Sequence, residues 1–349
     1  MSATRKTYFI QQYLPENVCN GGIGTADLEK ILLQNGVAAI FFPCHFEFSP
    51  KAKIVRLGFL LKALCTLPGD AVVFFQYPYY SGMTRLLLRL LQLFRKRIRL
   101  VCILADINGY KHNRPDVLQQ EIALFRRFDY FIVHNSAMQQ WLQEQVPGKP
   151  SVQLEFFDYL APIPQVQSSQ GYDIIFAGNL AESGFLEKLH EVTAQCSNIR
   201  FQVYGEPFPE KMQLSARVQY KGVLAPYELP AQIKASYGLI WDGAEVDSVA
   251  GSTGPYMRYI SHHKLSLYIL CGLPIVVWDQ CGSAALVRKY NIGITIGNLY
   301  EIEAKIAAVS PSAYLDMQRN TRNLAEKIAS GGCTASAYRQ IMAMIAQES

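Results

Sequence analysis

The chain has 349 residues, enough for two domains that each bury a core of their own. Half of the residues are hydrophobic and 17% are charged, which excludes a disordered protein, and a net charge of +5 does not by itself indicate nucleic-acid binding. The eight cysteines are scattered, several of them inside apolar runs, which favours reduced thiols in the core over a disulfide framework.

The N-terminal residues lead directly into a strand-like segment, without the long apolar stretch or the cleavage site of a secretion signal. No apolar run elsewhere reaches membrane-spanning length without a charge or a proline. We therefore expect a cytoplasmic protein with no nucleic acid among its partners, and we expect it to be a homo-oligomer.

In the first half of the chain, short β-branched or aromatic runs alternate with amphipathic segments, the pattern of a parallel sheet flanked by helices. The predicted strands are residues 7–13, 37–42, 71–76, 98–104, 130–134 and 151–155. The predicted helices include residues 25–34, 115–127 and 137–145, and Ser136 is the predicted cap of the last. The pattern predicts one doubly wound domain over residues 1–160.

A proline-containing polar stretch at 157–171 has no helical period and is the predicted linker. A second series of strands follows, at residues 172–176, 200–204, 218–221, 238–241, 274–278 and 293–296. We predict a second doubly wound, Rossmann-like domain over 171–330 and a C-terminal helix within 331–349 that packs back on the first domain. Two such α/β domains form a cleft at the carboxyl ends of their sheets, where ligands bind in open α/β folds.

Residues 259–278 are the most informative segment, since they predict a basic helix start, a glycine stop and a buried strand. Ser261 is the predicted N-cap, with His262, His263 and Lys264 in the first turn. The unpaired N–H groups and helix dipole favour anions there, so cations at this place indicate an anionic ligand such as the diphosphate of a sugar nucleotide. The alternative is a surface lysine beside two half-buried histidines.

Two glycine-containing turns are further candidates for phosphate contacts. Gly178 and Asn179 follow the first strand of the second domain, where a glycine lets the backbone approach a ligand closely. Residues 20–25 follow the opening strand of the chain and end at Thr25, which would cap a helix and point into the cleft. The dinucleotide fingerprint G-x-G-x-x-G is absent, and both turns have a purely structural alternative.

A loop after the strand at 98–104 places a carboxylate next to basic groups. Asp106 is the candidate general base toward an acceptor hydroxyl, with Lys111 and His112 in the same loop. His45 and Glu47 form a second, lower-ranked candidate pair near the same cleft. The alternative for Asp106 is that it only caps its loop.

The loop at 242–253 is acidic, contains glycine and follows a strand. Glu245 and Asp247 have the spacing of a carboxylate pair that could hold a divalent metal, but a mobile loop that closes over a ligand is the favoured interpretation. His262 and His263 are adjacent, so they diverge on a helix and make a poor metal pair.

Residues 85–99 are leucine-rich and strongly basic. The leucines favour a crossover helix packed on the sheet, and the cations either face solvent or contact an anionic membrane surface. Both interpretations of the cations stay open.

The segment 261–278 resembles the GT-B glycosyltransferases grouped as bacterial galactofuranosyltransferases and adhesin-modifying glucosyltransferases. Their typical helix has the form Lys-x-Ser-x-Tyr followed by a small residue and Gly-[Leu/Ile]-Pro-[Ile/Val], which here is Lys264, Ser266, Tyr268 and the run from Gly272 to Ile275. Weaker similarities extend over most of the chain, at 178–179, 237–241 and Asp106. The resemblance implies two Rossmann-like domains that face a cleft.

The resemblance also implies a UDP-sugar donor held mostly by residues 171–330, with the acceptor side on residues 1–160. Lys264 would bind the diphosphate with His263 and Ser266 nearby, Thr25 would contribute from the first domain, and neither metal nor other cofactor would be required. The arginine that the family carries after its Gly-Asn turn has no counterpart among residues 182–184. Either Arg258, beside Tyr259, would meet the phosphate charge, or the donor would differ from that of the family. The paired-glutamate motif of other GT-B enzymes is missing too.

These observations predict a transferase that moves a hexosyl or galactofuranosyl unit from UDP to a hydroxyl of a surface glycan, glycolipid or glycoprotein. Lys264 would stabilise the leaving diphosphate, and Asp106 would act as base if the reaction inverts configuration. Two alternatives remain. One is a non-catalytic binding subunit of the same fold, and the other, disfavoured by the missing glycine fingerprint, is an NAD-dependent oxidoreductase.

Overall fold

The computed structural model describes residues 5–12, 22–43, 49–79, 82–94, 97–165, 168–251 and 253–348. Within them two six-stranded sheets, each with all strands parallel, are flanked by helices. The predicted α/β class with two doubly wound domains is confirmed.

The first sheet has the strand order β2-β1-β3-β4-β5-β6. Its strands are β1 (Thr7–Ile10), β2 (Ala38–Ile40), β3 (Val72–Tyr77), β4 (Arg99–Leu104), β5 (Tyr130–Val133) and β6 (Ser151–Gln153). Its helices are α1 (Gly22–Gln34), α2 (Pro50–Thr66), α3 (Gly82–Phe94), α4 (Asn108–Lys111), α5 (Pro115–Phe125) and α6 (Ser136–Gln145). The central strands are buried on both faces, which is why they are continuous apolar runs in the sequence.

The second sheet has the order β12-β11-β10-β7-β8-β9. Its strands are β7 (Asp173–Asn179), β8 (Arg200–Glu206), β9 (Val218–Tyr220), β10 (Tyr237–Ile240), β11 (Ile275–Trp278) and β12 (Gly293–Ile296). Its helices are α7 (Leu189–Gln195), α8 (Leu229–Gln232), α9 (His263–Leu270), α10 (Ala284–Tyr290), α11 (Ile302–Ala307) and α12 (Pro311–Ala329). The last helix of the chain is α13 (Gly332–Gln347), and it lies against α1, β5 and β6 of the first sheet.

Three predicted helix caps are wrong. Helix α1 begins at Gly22, so Thr25 lies inside its first turn and does not cap it. Asn135 caps α6, because its side-chain oxygen accepts hydrogen bonds from the first backbone N–H groups, and Ser136 is already helical. Helix α9 begins at His263, which leaves Ser261 outside the helix and places His262 at the N-cap without a side-chain cap bond.

Helix α3 accounts for the leucine-rich basic segment. Leu87, Leu88 and Leu91 are buried in the core beside the first sheet, whereas Arg85 and Arg89 are exposed. The interpretation of the leucines as the inner face of a crossover helix is therefore confirmed. Within the described ranges, no helix combines the length and the apolarity that crossing a bilayer requires.

Candidate functional site

A largely buried cluster of charges lies where β10 ends and α9 begins. The Asp242 carboxylate accepts a hydrogen bond of 2.9 Å from Lys264 Nζ, and its other oxygen lies 2.8 Å from His262 Nε2. The three side chains are 14%, 11% and 6% exposed, in that order. The carboxyl end of a strand and the start of the next helix thus bring together two cations and one anion.

The electrostatics of this cluster leave it positively charged. Burial opposes the charge of His262, but the nearby Asp242 carboxylate raises its pKa to about 9. Burial likewise opposes the charge of Asp242, and Lys264 together with His262 holds its pKa far below the usual value of 3.8. One carboxylate therefore faces two cations at neutral pH, and a net charge of +1 remains at the amino end of α9.

This arrangement corrects part of the sequence interpretation. The cations at the start of α9 already have an anionic partner in Asp242, so a ligand is not needed to explain their presence. Only the surplus positive charge, added to the free N–H groups of the helix start, is available to an external anion.

The Gly178 turn lies beside Lys264. Gly178 has a φ of +152° and is exposed, and a Cβ at this position would come within 3.7 Å of Lys264 Cε. The Lys264 ammonium lies 4.1 Å from the centre of the Phe176 ring, which directs it along the end of β7. Asn179 is also exposed, and its side-chain oxygen accepts a hydrogen bond from Ala181 N. The glycine turn and the charged cluster thus share one edge of the second sheet.

The first domain faces this edge with the start of α1. A Cβ on Gly24 would lie 3.2 Å from the His263 ring, and the ring also packs against Phe157 and Tyr159. Thr25 is not free to point into a cleft, because its hydroxyl accepts a hydrogen bond from Gln76. His263 therefore joins the starts of α1 and α9 across the domain boundary.

Burial separates two predicted ligand contacts from solvent. Ser266 is completely buried, so its hydroxyl faces the interior of the second domain and not a ligand. The Nε2 atom of His263 is also covered, and burial lowers the pKa of this histidine to about 4, which makes it neutral. Neither side chain reaches an open site in this arrangement.

Arg258 and Tyr259 are neighbours in the sequence, but their side chains have different surroundings. Arg258 is exposed and its guanidinium lies 5.1 Å from the centre of the Trp278 ring, at the carboxyl end of β11. The Tyr259 hydroxyl lies 3.1 Å from that of Tyr110, and its ring packs on Trp141 of the first domain. Arg258 can thus contribute charge to the cleft, whereas Tyr259 holds the two domains together.

Asp106 belongs to an ion-pair network that joins the two domains. Lys111 Nζ is 3.6 Å from the Asp106 carboxylate and 3.4 Å from that of Glu182 in the second domain. Burial raises the pKa of Asp106, and the Lys111 cation only partly opposes this effect. A carboxylate with a raised pKa accepts a proton more readily, as a general base requires. A first-domain lysine therefore occupies the neighbourhood of residues 182–184, where the second domain offers no arginine.

The acidic loop does not assemble a metal site in the described part of the chain. Glu245 forms an ion pair with Lys188, and Asp247 accepts a hydrogen bond from Ser248. No group of three His, Cys, Asp or Glu side chains converges among the described residues. His45, Glu47 and residues 20–21 of the first glycine turn lie outside the described residues.

Three residues at the domain boundary could not be recognised as contributors from the sequence. In the sequence, Asp242 stands out only as the first residue of an acidic loop, and no motif marks His134 or Asn135. His134 Nδ1 accepts a hydrogen bond of 3.1 Å from Ser261 N, and Asn135 donates one of 3.1 Å to the Ser261 hydroxyl. Their position directly after β5 was the available signal, because the carboxyl ends of both sheets meet at the cleft.

From the pKa values of three histidines near the domain boundary, we predict that their combined contribution to the free energy of unfolding is largest near pH 6.5. The pKa of His262 is raised from 6.5 to about 9, so its stabilisation is complete below pH 6.5 and is lost as the pH rises through about 9. Burial lowers the pKa of His134 to about 3 and that of His263 to about 4, so their contributions are lost as the pH falls below 6.5.

Urea unfolding of the protein and of His262→Gln across this pH range checks the sign. We expect the difference between the two proteins to shrink above pH 6.5 with a slope of up to about 1.4 kcal/mol per pH unit. His263→Gln serves as the control, since its difference from the wild type should instead shrink on the acid side. Parallel curves for the wild type and His262→Gln would contradict the charged state assigned to His262.

Comparison with known proteins gives two matching family models. The model "Glucosyltransferase 3-like, N-terminal domain" matches residues 7–156, and "Glucosyltransferase 3-like, C-terminal domain" matches residues 174–341. The first matched range contains the first sheet, and the second contains nearly all of the second sheet.

Two curated relatives are similar in sequence. The β-1,6-galactofuranosyltransferase WbbI of Escherichia coli K12 is 25% identical over 279 residues, which is 77% of this chain and 78% of the relative. Glucosyltransferase 3 of Streptococcus gordonii is 30% identical over 114 residues, 32% of this chain and 33% of the relative.

Solved structures share the fold at low sequence identity. Sucrose-phosphate synthase from Thermosynechococcus elongatus has a TM-score of 0.64 at 15% identity and covers 97% of this chain and 100% of its own. Anabaena HepE in complex with UDP-glucose has a TM-score of 0.60 at 15% identity and covers 97% of this chain and 99% of its own. The two-domain arrangement of the chain is thus shared over nearly its whole length.

Proposed function

The chain belongs to the glucosyltransferase 3-like family, and on that premise we propose that it transfers a hexosyl or galactofuranosyl unit from a UDP-sugar to a hydroxyl of a cell-surface glycan, glycolipid or glycoprotein. The observation that carries the proposal is the position of the cluster of Asp242, His262 and Lys264, at the start of α9 and beside the exposed Gly178 turn. The names of WbbI and glucosyltransferase 3 support the two sugar classes, and the UDP-glucose complex of HepE supports the nucleotide.

The proposed reaction forms a bond between the acceptor oxygen and the anomeric carbon of the sugar, while the bond from that carbon to the diphosphate breaks. The diphosphate gains negative charge as it leaves, and Lys264, the α9 start and the backbone N–H groups near Gly178 stabilise it. Arg258 is exposed at the same edge and adds a further cation. If configuration inverts, Asp106 takes the proton of the acceptor hydroxyl.

We further propose that the transfer is metal-independent. The charge of the leaving group is met by fixed cations, and the carboxylates of the acidic loop are engaged within the protein, Glu245 by Lys188 and Asp247 by Ser248. We also propose that the protein is cytoplasmic, forms a homo-oligomer and contacts the inner face of the membrane. The exposed cations of α3 support the membrane contact alone.

A panel of UDP-sugars tests the function. One of them should bind in calorimetry and be hydrolysed slowly without acceptor, and UDP but not NAD should raise the melting temperature. Hydrolysis should continue undiminished in EDTA. Stabilisation by NAD alone would favour an oxidoreductase, binding of a UDP-sugar without hydrolysis or transfer would favour a non-catalytic subunit, and loss of turnover in EDTA would remove the metal-independent mechanism.

A further inference from the structure

Helix α2 exposes large apolar side chains, although Ala52, Leu60 and Ala63 already give it an apolar inner side. A helix on the surface of a domain normally turns its apolar side to the core and its charges to water. Here Arg56 is buried on the inner side, where it donates a hydrogen bond to Ala52 O, while Ile54, Leu57 and Leu61 point outward with exposures of 71%, 47% and 54%. Their spacing of three and four residues places them on one outer stripe.

Two more large side chains widen this stripe. Val55 and Phe59 are exposed one turn apart on the flank of the helix, to one side of that stripe. We call Ile54, Val55, Leu57, Phe59 and Leu61 the α2 face. Five exposed large apolar residues on one helix indicate an interaction surface, because isolated exposed apolar residues are common but groups of them are not.

The charged residues of α2 and of the neighbouring helix α3 are all positive. Neither α2 nor its neighbour α3 contains an aspartate or glutamate. Exposed cations surround the face on both helices: Lys51, Lys53, Lys62, Arg85 and Arg89. In the described part of the chain, none of these five is within ion-pair distance of a carboxylate.

We propose that the α2 face docks the protein on an anionic lipid bilayer. Apolar side chains flanked by lysine and arginine are the combination that binds the boundary between acyl chains and anionic headgroups, the first by burial and the second by attraction to the headgroups. Charge complementarity selects the bilayer over a second copy of the chain, because two α2 faces brought together would also bring their cations together.

The position of α2 in the fold gives the docking a direction. In a parallel sheet each helix begins at the carboxyl edge of the strand it follows, so α2 and α3 both start at the edge where Asp106 lies after β4. Docking would therefore hold the acceptor side of the cleft near the headgroups. This geometry suits an acceptor glycan that is carried on a lipid, an inference that rests on the proposed function.

Sedimentation with vesicles tests the docking without donor or acceptor, so its failure would leave the proposed transfer untouched. The full chain should pellet with phosphatidylglycerol vesicles and much less with phosphatidylcholine vesicles. Ile54→Ser/Leu57→Ser/Leu61→Ser should reduce the binding constant for phosphatidylglycerol vesicles by at least about tenfold. Lys51→Gln/Lys53→Gln/Lys62→Gln should abolish the preference for the anionic lipid.

The matched control is Leu214→Ser/Val223→Ser/Leu315→Ser, which removes three comparably exposed apolar side chains from the second domain. It should bind vesicles like the wild type. The proposal is overturned if the wild type does not bind phosphatidylglycerol vesicles, or if the control loses as much binding as the α2 variant. It is also overturned if the α2 variant keeps its vesicle binding but changes from oligomer to monomer in light scattering, since the face would then join copies of the chain.

Discussion

Replacing Asp242 by asparagine should lower the free energy of unfolding by about 3–5 kcal/mol, the cost of removing one partner from a buried ion pair. The amide keeps the size of the side chain but leaves Lys264 inside the protein without its anion. His262 loses the same carboxylate, so its pKa should fall from about 9 toward or below the usual 6.5. Urea unfolding near neutral pH measures the first effect, and histidine NMR titration the second.

Asp247→Asn is the matched control for this experiment. It makes the same chemical change in the same loop, but Asp247 is exposed and its carboxylate contacts only Ser248 among the hydrogen bonds described. The control should cost no more than about 0.5 kcal/mol. Equal losses in the two variants would mean that Asp242 does not hold a buried charge cluster together.

The sheets could be predicted from the sequence because parallel strands buried on both faces give an unmistakable apolar run. The run from Val72 to Tyr77 and that from Ile275 to Trp278 are examples, and every strand observed overlaps a predicted one. The helix starts could not be predicted in this way, because neighbouring residues are equally suitable as the N-cap. Asn135 and Ser136 both suit an N-cap, and only the packing of α6 decides between them.

Part of the candidate site could also be predicted from chain order. Gly178 and Lys264 meet because the carboxyl ends of neighbouring strands and the helices that follow them share one edge. The partnership of Asp242 with Lys264 could not be predicted, because it depends on how far the end of β10 lies from the start of α9. The burial of Ser266 depends on the rotation of α9 about its axis, which a short apolar helix does not reveal.

The exposed apolar side chains of α2 could not be predicted from the sequence either. Its sequence has apolar residues all around the helix, so no periodicity distinguishes the inner from the outer side. Contact with the sheet selects Leu60 and Ala63 for the core and leaves Ile54 outside. An interaction surface of this kind becomes visible only when the packing is known.

Replacing Lys264 by methionine should reduce turnover of the UDP-sugar about 10²–10³-fold, the usual effect of removing one group that stabilises developing charge in the transition state. The variant keeps the length of the side chain and its contact with Phe176, but the cluster of Asp242, His262 and Lys264 becomes neutral. Because the diphosphate gains charge as it leaves, the loss should fall on kcat as well as on kcat/KM. Steady-state kinetics with a saturating UDP-sugar measure both.

Lys188→Met is the control that separates the loss of positive charge at the start of α9 from the loss of any lysine ion pair. Lys188 pairs with Glu245 in the loop that Asp242 begins, yet it is more exposed, so its removal should change turnover by only a few-fold. The double variant Lys264→Met/Asp242→Asn, which removes the buried lysine together with its carboxylate, should fold about as stably as Lys264→Met and remain as inactive. Near-normal turnover in Lys264→Met, or an equal loss in Lys188→Met, would show that the positive charge at the start of α9 does not act on the diphosphate.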